Sequence, residues 1–99
     1  MEGHKMDKVL VVAETHAIFN EAKMAEYRAA VEPQIEKWGG RVLGVGTRQI
    51  EGRPFDLLMV QEWPSEERFL EWQASDEYGP FLAIRRAAAD IRSAFVPLM

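Results

Sequence analysis

Glu14 and His16 stand two residues apart at the end of an apolar stretch, and they are the sharpest candidates for proton chemistry in the chain. An imidazole takes or gives a proton near neutral pH. On a regular strand, residues two apart face the same side, so the two side chains can interact. The competing reading is a polar strand end that reaches solvent. Glu62 lies among Leu58, Val60 and Trp63, and a carboxylate on an apolar strand is costly unless paired. It reads either as a general base or as one half of a salt bridge, with Arg85 as the partner. Arg85 in turn reads as an anion anchor for a substrate, or as a structural partner of Glu62 or Glu77.

Tyr78 and Tyr27 each combine an apolar ring with a hydroxyl that can donate to a substrate oxygen. Tyr27 fits the apolar stripe of a helix and reads first as core. Tyr78 stands in a turn and is the better catalytic candidate, with His16 and Glu62. Arg48 follows Gly44 and Gly46 at alternate positions; if that face lines a cavity, Arg48 meets a carboxylate ligand. Gln61 shares a face with Met59 and Trp63. A buried amide needs partners, so Gln61 is a polar contact in an otherwise apolar pocket, and Trp63 is a wall of it. The substrate-binding set is therefore Arg85, Arg48, Gln61, Glu14 and Trp63. Trp38, Trp63 and Trp72 also read as core or interface residues.

The elements that must position these side chains follow from periodicity. Lys8 to Thr15 reads as a strand with apolar residues on both faces. Asn20 caps a helix whose apolar stripe is Met24, Tyr27, Val31, Ile35 and Trp38; Pro33 should kink it, and Gly39-Gly40 stops it. Arg41 to Ile50 and Phe55 to Trp63 read as an antiparallel hairpin. Ser65 caps a second helix, Ser75 starts a fresh turn, and after Gly79-Pro80 a helical path resumes to about Ala89. Ile91 to Leu98 is the last strand. This order is the βαββαβ, ferredoxin-like α+β arrangement with a four-stranded antiparallel sheet. Its helices cover one face of the sheet. The other face is apolar too, so it predicts a homodimer in which two sheets pack face to face as a dimeric α/β barrel.

Composition narrows the classes. The chain has 99 residues, enough for one domain; residues 1–6 read as a disordered leader or expression remnant and residues 7–99 as the domain. Hydrophobic residues make up 47%, more than a thin single core needs, which fits a second buried surface. The net charge of -4 without a basic cluster argues against nucleic acid and anionic membranes. There are no cysteines, so a disulfide framework, a thiolate zinc site and a Cys nucleophile are excluded. The apolar run Val9–Ala13 is too short for a signal-peptide core or a membrane span, and a cytoplasmic location is expected. No phosphate loop, Ser-His-Asp pattern or dinucleotide fingerprint occurs.

Three stretches carry a family resemblance: Lys37-Trp38-Gly39-Gly40-Arg41 after a helix with Tyr27 and Pro33; Glu62-Trp63-Pro64-Ser65; and Trp72, Ser75-Asp76-Glu77-Tyr78 and Arg85. In order and spacing they resemble the domain-of-unknown-function 1330 family of the dimeric α/β barrel superfamily, over about Lys8 to Val96. The resemblance implies the barrel fold and a homodimer. Its superfamily includes cofactor-free monooxygenases, isomerases, lyases and haem-degrading enzymes. Gly79-Pro80, the stretch Glu14–Phe19 and the ending Val96-Pro97-Leu98 depart from the family pattern.

Three functions follow as expectations. The first is a small-molecule-binding barrel acting as a cofactor-independent isomerase, lyase or dehydratase, or cyclase, on a small aromatic or carboxylate metabolite. No cofactor is expected, His16 or Glu62 transfers the proton, and Tyr78 or Arg85 orients the substrate in a pocket between sheet and helices. The second is a non-catalytic binding or structural homodimer. The third is haem or metal binding through His16. A metal site normally needs about three protein ligands, and His16 with Glu14 supplies two, so no metal ligand set is assigned.

Overall fold

The computed structural model describes residues 8–99; the leader expected over residues 1–6 lies outside them. Seven elements follow in order: β1 (Val9–Ile18), α1 (Glu21–Lys37), β2 (Arg41–Gly46), β3 (Leu57–Trp63), α2 (Glu66–Gln73), α3 (Gly79–Ala88) and β4 (Ala89–Pro97). The strands form one sheet in the order β2-β3-β1-β4, with every neighbouring pair antiparallel. This is the ferredoxin-like α+β fold, its second helix split at the Ser75 turn.

Local chemistry sets the boundaries. The Asn20 side chain accepts from the Lys23 N–H at 2.9 Å, and Ser65 Oγ from the Arg68 N–H at 3.0 Å, each satisfying an orphan amide of a first turn. At the far end of α1 the Gly40 N–H reaches the Ile35 carbonyl and the Gly39 N–H the Glu36 carbonyl. That paired pattern needs a left-handed residue, and Gly39 has φ +100°. Gly40 is required for a different reason: a Cβ there would sit 2.5 Å from Cε2 of Trp63. Pro33 lies inside α1, which runs on without a break from Glu21 to Lys37. Ser75 Oγ donates to the Trp72 carbonyl at 2.7 Å and accepts from the Tyr78 N–H at 3.2 Å, which turns the chain between α2 and α3.

Alternation then divides the sheet. Val9, Val11 and Thr15 of β1 and Gln61 and Trp63 of β3 are buried on the helix side. There they join Val31 and Ile35 of α1, Trp72 of α2, and Tyr78. Trp63 and Trp72 stack at 5.3 Å, and Phe69 meets both edge-on. Among the described residues no helix lies over the other face. By register, Leu10, Val12 and Glu14 stand there beside Glu62, Val60 and Leu58 of β3 and Val96, Ala94 and Arg92 of β4. Gly44 and Gly46 face Val60 and Leu58 from β2 and leave open space where a Cβ would be.

Several expected strand boundaries move, and β3 begins at Leu57 rather than Phe55. β2 ends at Gly46 rather than Ile50, after a register shift at Leu43. β1 continues past Thr15 to Ile18, because β4 pairs with it through Ala17 and Ile18 after a bulge at His16. β4 accordingly begins at Ala89, directly on the end of α3.

Candidate functional site

The sheet and its helices enclose a pocket of about 70 Å³. Val11, Ala13 and Thr15 of β1, Leu57, Met59 and Gln61 of β3, and Ile91 and Ser93 of β4 form its floor. Met24, Tyr27, Val31 and Ile35 of α1 and Phe69 and Trp72 of α2 form its roof. The lining also includes Arg28, Glu32, Gln73 and Arg85. An apolar hollow with a few placed polar groups is the ordinary make-up of a small-molecule site. Two methionines line it, and their flexible thioether chains adapt to irregular shapes.

One polar group in that lining is Gln61. Its Oε1 accepts from the Trp63 indole N–H at 2.8 Å, and its Nε2 lies 3.3 Å from Met59 Sδ. Residues two apart on a strand share a face, which is why the three sit together. Gln34 of α1, which carried no signal in the sequence, does a similar job in the core, outside the pocket lining. It accepts from the Trp72 indole N–H at 2.9 Å and donates to the Glu77 carbonyl at 3.3 Å.

The second polar group is a pair of phenols. The hydroxyls of Tyr27 and Tyr78 are 2.9 Å apart, and their rings meet edge to face. Tyr78 is fully buried and does not line the pocket, whereas Tyr27 does. Burial pushes the Tyr27 phenol well above its usual range, and Tyr78 adds to this; the nearby positive Arg85 opposes it without reversing it. Tyr27 therefore stays protonated at neutral pH. Its position in the Met24–Val31–Ile35 stripe marked it as facing the sheet. Its partner across 51 positions carried no sequence signal.

Arg85 is the third. Its expected partners are both taken. The Glu62 carboxylate accepts from Arg41 Nε at 3.2 Å, because register sets Arg41 opposite Glu62. The Glu77 carboxylate accepts from Lys37 Nζ at 3.2 and 3.3 Å and from the Trp38 indole N–H at 3.0 Å. The Trp38 bond first, then Lys37, holds the Glu77 carboxyl below the usual carboxylate value. Among the described residues no carboxylate forms an ion pair with Arg85. The expected pairing of Arg85 with Glu62 or Glu77 is thus replaced by pairs closer in register and in space.

The remaining candidates sit elsewhere. Glu14 and His16 do interact, with Oε2 and Nε2 2.6 Å apart, but by register Glu14 shares the open face with Glu62, on the opposite side of the sheet from the pocket, and the contact keeps His16 on that side across the bulge. Arg48 lies past the end of β2 and is exposed, so it shares no strand face with Gly44 and Gly46. Trp63 is buried in the core beneath Gln61. Among the described residues no three His, Cys, Asp or Glu side chains gather as a metal site, and no helix is long and apolar enough to cross a membrane.

The architecture has solved counterparts. A protein of unknown function from Rhodopseudomonas palustris superposes with a TM-score of 0.81 at 19% identity, over 95% of this chain and 84% of that one. SnoaB, a cofactor-independent oxygenase from Streptomyces nogalater, does so with a TM-score of 0.71 at 13% identity, over 94% of each chain. A dimeric protein of unknown function and ferredoxin-like fold from Bacteroides fragilis gives 0.60 at 10% identity, over 93% of this chain and 97% of that one. At these identities the likeness is one of fold. No curated protein matches the sequence. Residues 8–99, which hold every element described above, match one family along their whole length: the chain belongs to the domain of unknown function DUF1330 family.

Proposed function

We propose that this chain is a homodimeric, small-molecule-binding α/β barrel protein, and that each subunit takes a small aromatic or carboxylate metabolite into the pocket beneath its helices. The observation that carries this is Arg85. A guanidinium among the lining residues of an apolar pocket, with no carboxylate pairing it among the described residues, is a ready anchor for a ligand anion. Cofactor-independent acid–base chemistry fits the same lining, since Tyr27 holds a proton and Arg85 favours negative charge on a bound oxygen. The shared fold with a cofactor-independent oxygenase supports that class, and isomerisation, elimination and cyclisation are the reactions it suits.

The dimer rests on the open face. Leu10, Val12, Leu58, Val60 and Val96 form an apolar field there, and a second copy covers such a field without a new kind of surface. A dimeric protein of the same fold supports it. His16 and Glu62 stand on this face, so in this reading their ion pairs belong to the interface rather than to the pocket.

A non-catalytic homodimer is the second reading, favoured by the pocket's small volume of about 70 Å³. A ring enters cavities of roughly 150 Å³, so a ligand must turn Met24 and Met59 aside. A thermal-shift screen of aromatic and aliphatic carboxylates decides between the readings. Stabilisation that is lost in Arg85→Gln supports the pocket; no hit with any compound supports the framework reading. In parallel, Val60→Asp should convert the dimer to a monomer in light scattering, and an unchanged mass would remove the proposed interface.

A further inference from the structure

The two phenols share one hydrogen bond, and its direction matters. Tyr78 is fully buried, and the Tyr27 hydroxyl is the one partner of its hydroxyl among the described residues. If Tyr27 donated, the Tyr78 proton would be left in the core with no acceptor, a costly arrangement. If Tyr78 donates, the fully buried proton has its acceptor in Tyr27 Oη, and the Tyr27 proton is the one left to turn toward the pocket that Tyr27 lines. The neighbouring guanidinium of Arg85 can only donate, so it too faces the oxygen and not the proton. A hydroxyl that accepts while it donates is a stronger donor, because hydrogen bonds in a chain polarise one another.

Building on the small-molecule reading of this pocket, we infer that Tyr27 donates its hydroxyl proton to an anionic oxygen of the ligand, a carboxylate or an enolate on a compact ring, that Arg85 supplies the matching charge, and that Tyr78 is the positioning residue behind Tyr27. The ring belongs among Met59, Phe69 and Trp72, which line the same hollow. The Gln61 Oε1 accepts from the Trp63 indole, which turns its donor Nε2 to Met59 Sδ, so the acidic oxygen is directed to Tyr27 and Arg85. Tyr27 keeps its proton at neutral pH, so it serves as a donor and not as a base.

The test uses benzoate as the anionic probe and toluene as the same ring without oxygen, with affinities from ligand-observed NMR on the wild-type protein, Tyr27→Phe and Tyr78→Phe. Wild type is expected to bind benzoate more tightly than toluene. Tyr27→Phe should weaken benzoate by about tenfold or more, the usual worth of a hydrogen bond to a charged group. Tyr78→Phe should weaken benzoate by about threefold and leave toluene unchanged; a merely structural role would lower both together. Circular dichroism confirms that each variant is folded, and if Tyr27→Phe is not, the benzoate-to-toluene ratio in Tyr78→Phe decides. Equal benzoate affinity in all three proteins overturns the inference. So does toluene binding without benzoate binding, which still leaves the pocket standing. Binding of neither probe overturns both the inference and the pocket.

Discussion

The indole N–H of Trp63 is held by Oε1 of Gln61, two residues back on the same strand and 2.8 Å away. Both residues are buried, so each supplies the partner that the other would otherwise lack. The bond also sets the orientation of the Gln61 amide in the pocket lining, with Nε2 turned to Met59.

Replacing Gln61 by leucine keeps the volume and the apolar contacts but strands the Trp63 N–H in the core. A buried donor without an acceptor costs about 1–3 kcal/mol. Urea unfolding of Gln61→Leu should show that loss with an unchanged slope. A stability equal to wild type would mean that the indole finds another acceptor.

Gly40 makes a complementary case. A methyl group at this position would meet three atoms of the Trp63 ring, at 2.5 to 2.8 Å. The ring is fully buried and cannot swing away. Gly40→Ala should therefore cost about 1–3 kcal/mol through overpacking, read as a lower Tm. Gly44→Ala is the control, because nothing lies within 4 Å of a Cβ there.

Tyr27 gives the chain an alkaline limit. In the folded protein the phenol holds its proton above the ordinary value of about 10, at which the unfolded chain releases it. Below pH about 10 the two states bind the same proton and stability is indifferent to Tyr27. Above it the unfolded state binds fewer protons, so stability falls as pH rises, by up to about 1.4 kcal/mol per pH unit. Tyr27→Phe should flatten the alkaline decline of stability in denaturant titrations at stepped pH. An identical decline in both proteins would assign it to other groups.

Much of this architecture is legible in the residues, for physical reasons that can be named. Asn20, Ser65 and Gly39-Gly40 mark helix ends because each serves orphan backbone groups that no neighbour can serve. The parity of Gln61, Met59 and Trp63 follows from the pleat alone. What the residues do not show is pairing between distant segments. Arg41 meets Glu62 because a register shift at Leu43 slides β2 along β3, and no local pattern marks that shift. The alternation of Gly44, Gly46 and Arg48 suggests one strand face, but the strand stops short of Arg48, since Gly46 opposite Leu58 is the last pair of the hairpin. Tyr27 read as core because its stripe is apolar; the pocket opens under the middle of that stripe, where the sheet carries the small Ala13, Thr15 and Ser93.

The carbonyl of Ala88 accepts from both the Phe19 and Asn20 amides, at 2.7 and 3.1 Å. One oxygen thereby rivets the start of α1 to the end of α3, and β4 departs from that same rivet without an intervening loop. The helix that bears Arg85 is thus splinted at its base to the sheet and to its neighbouring helix. A guest that enters by side chains folding back within this frame leaves the charge where it stands, so the shape of the hollow understates what it can accommodate.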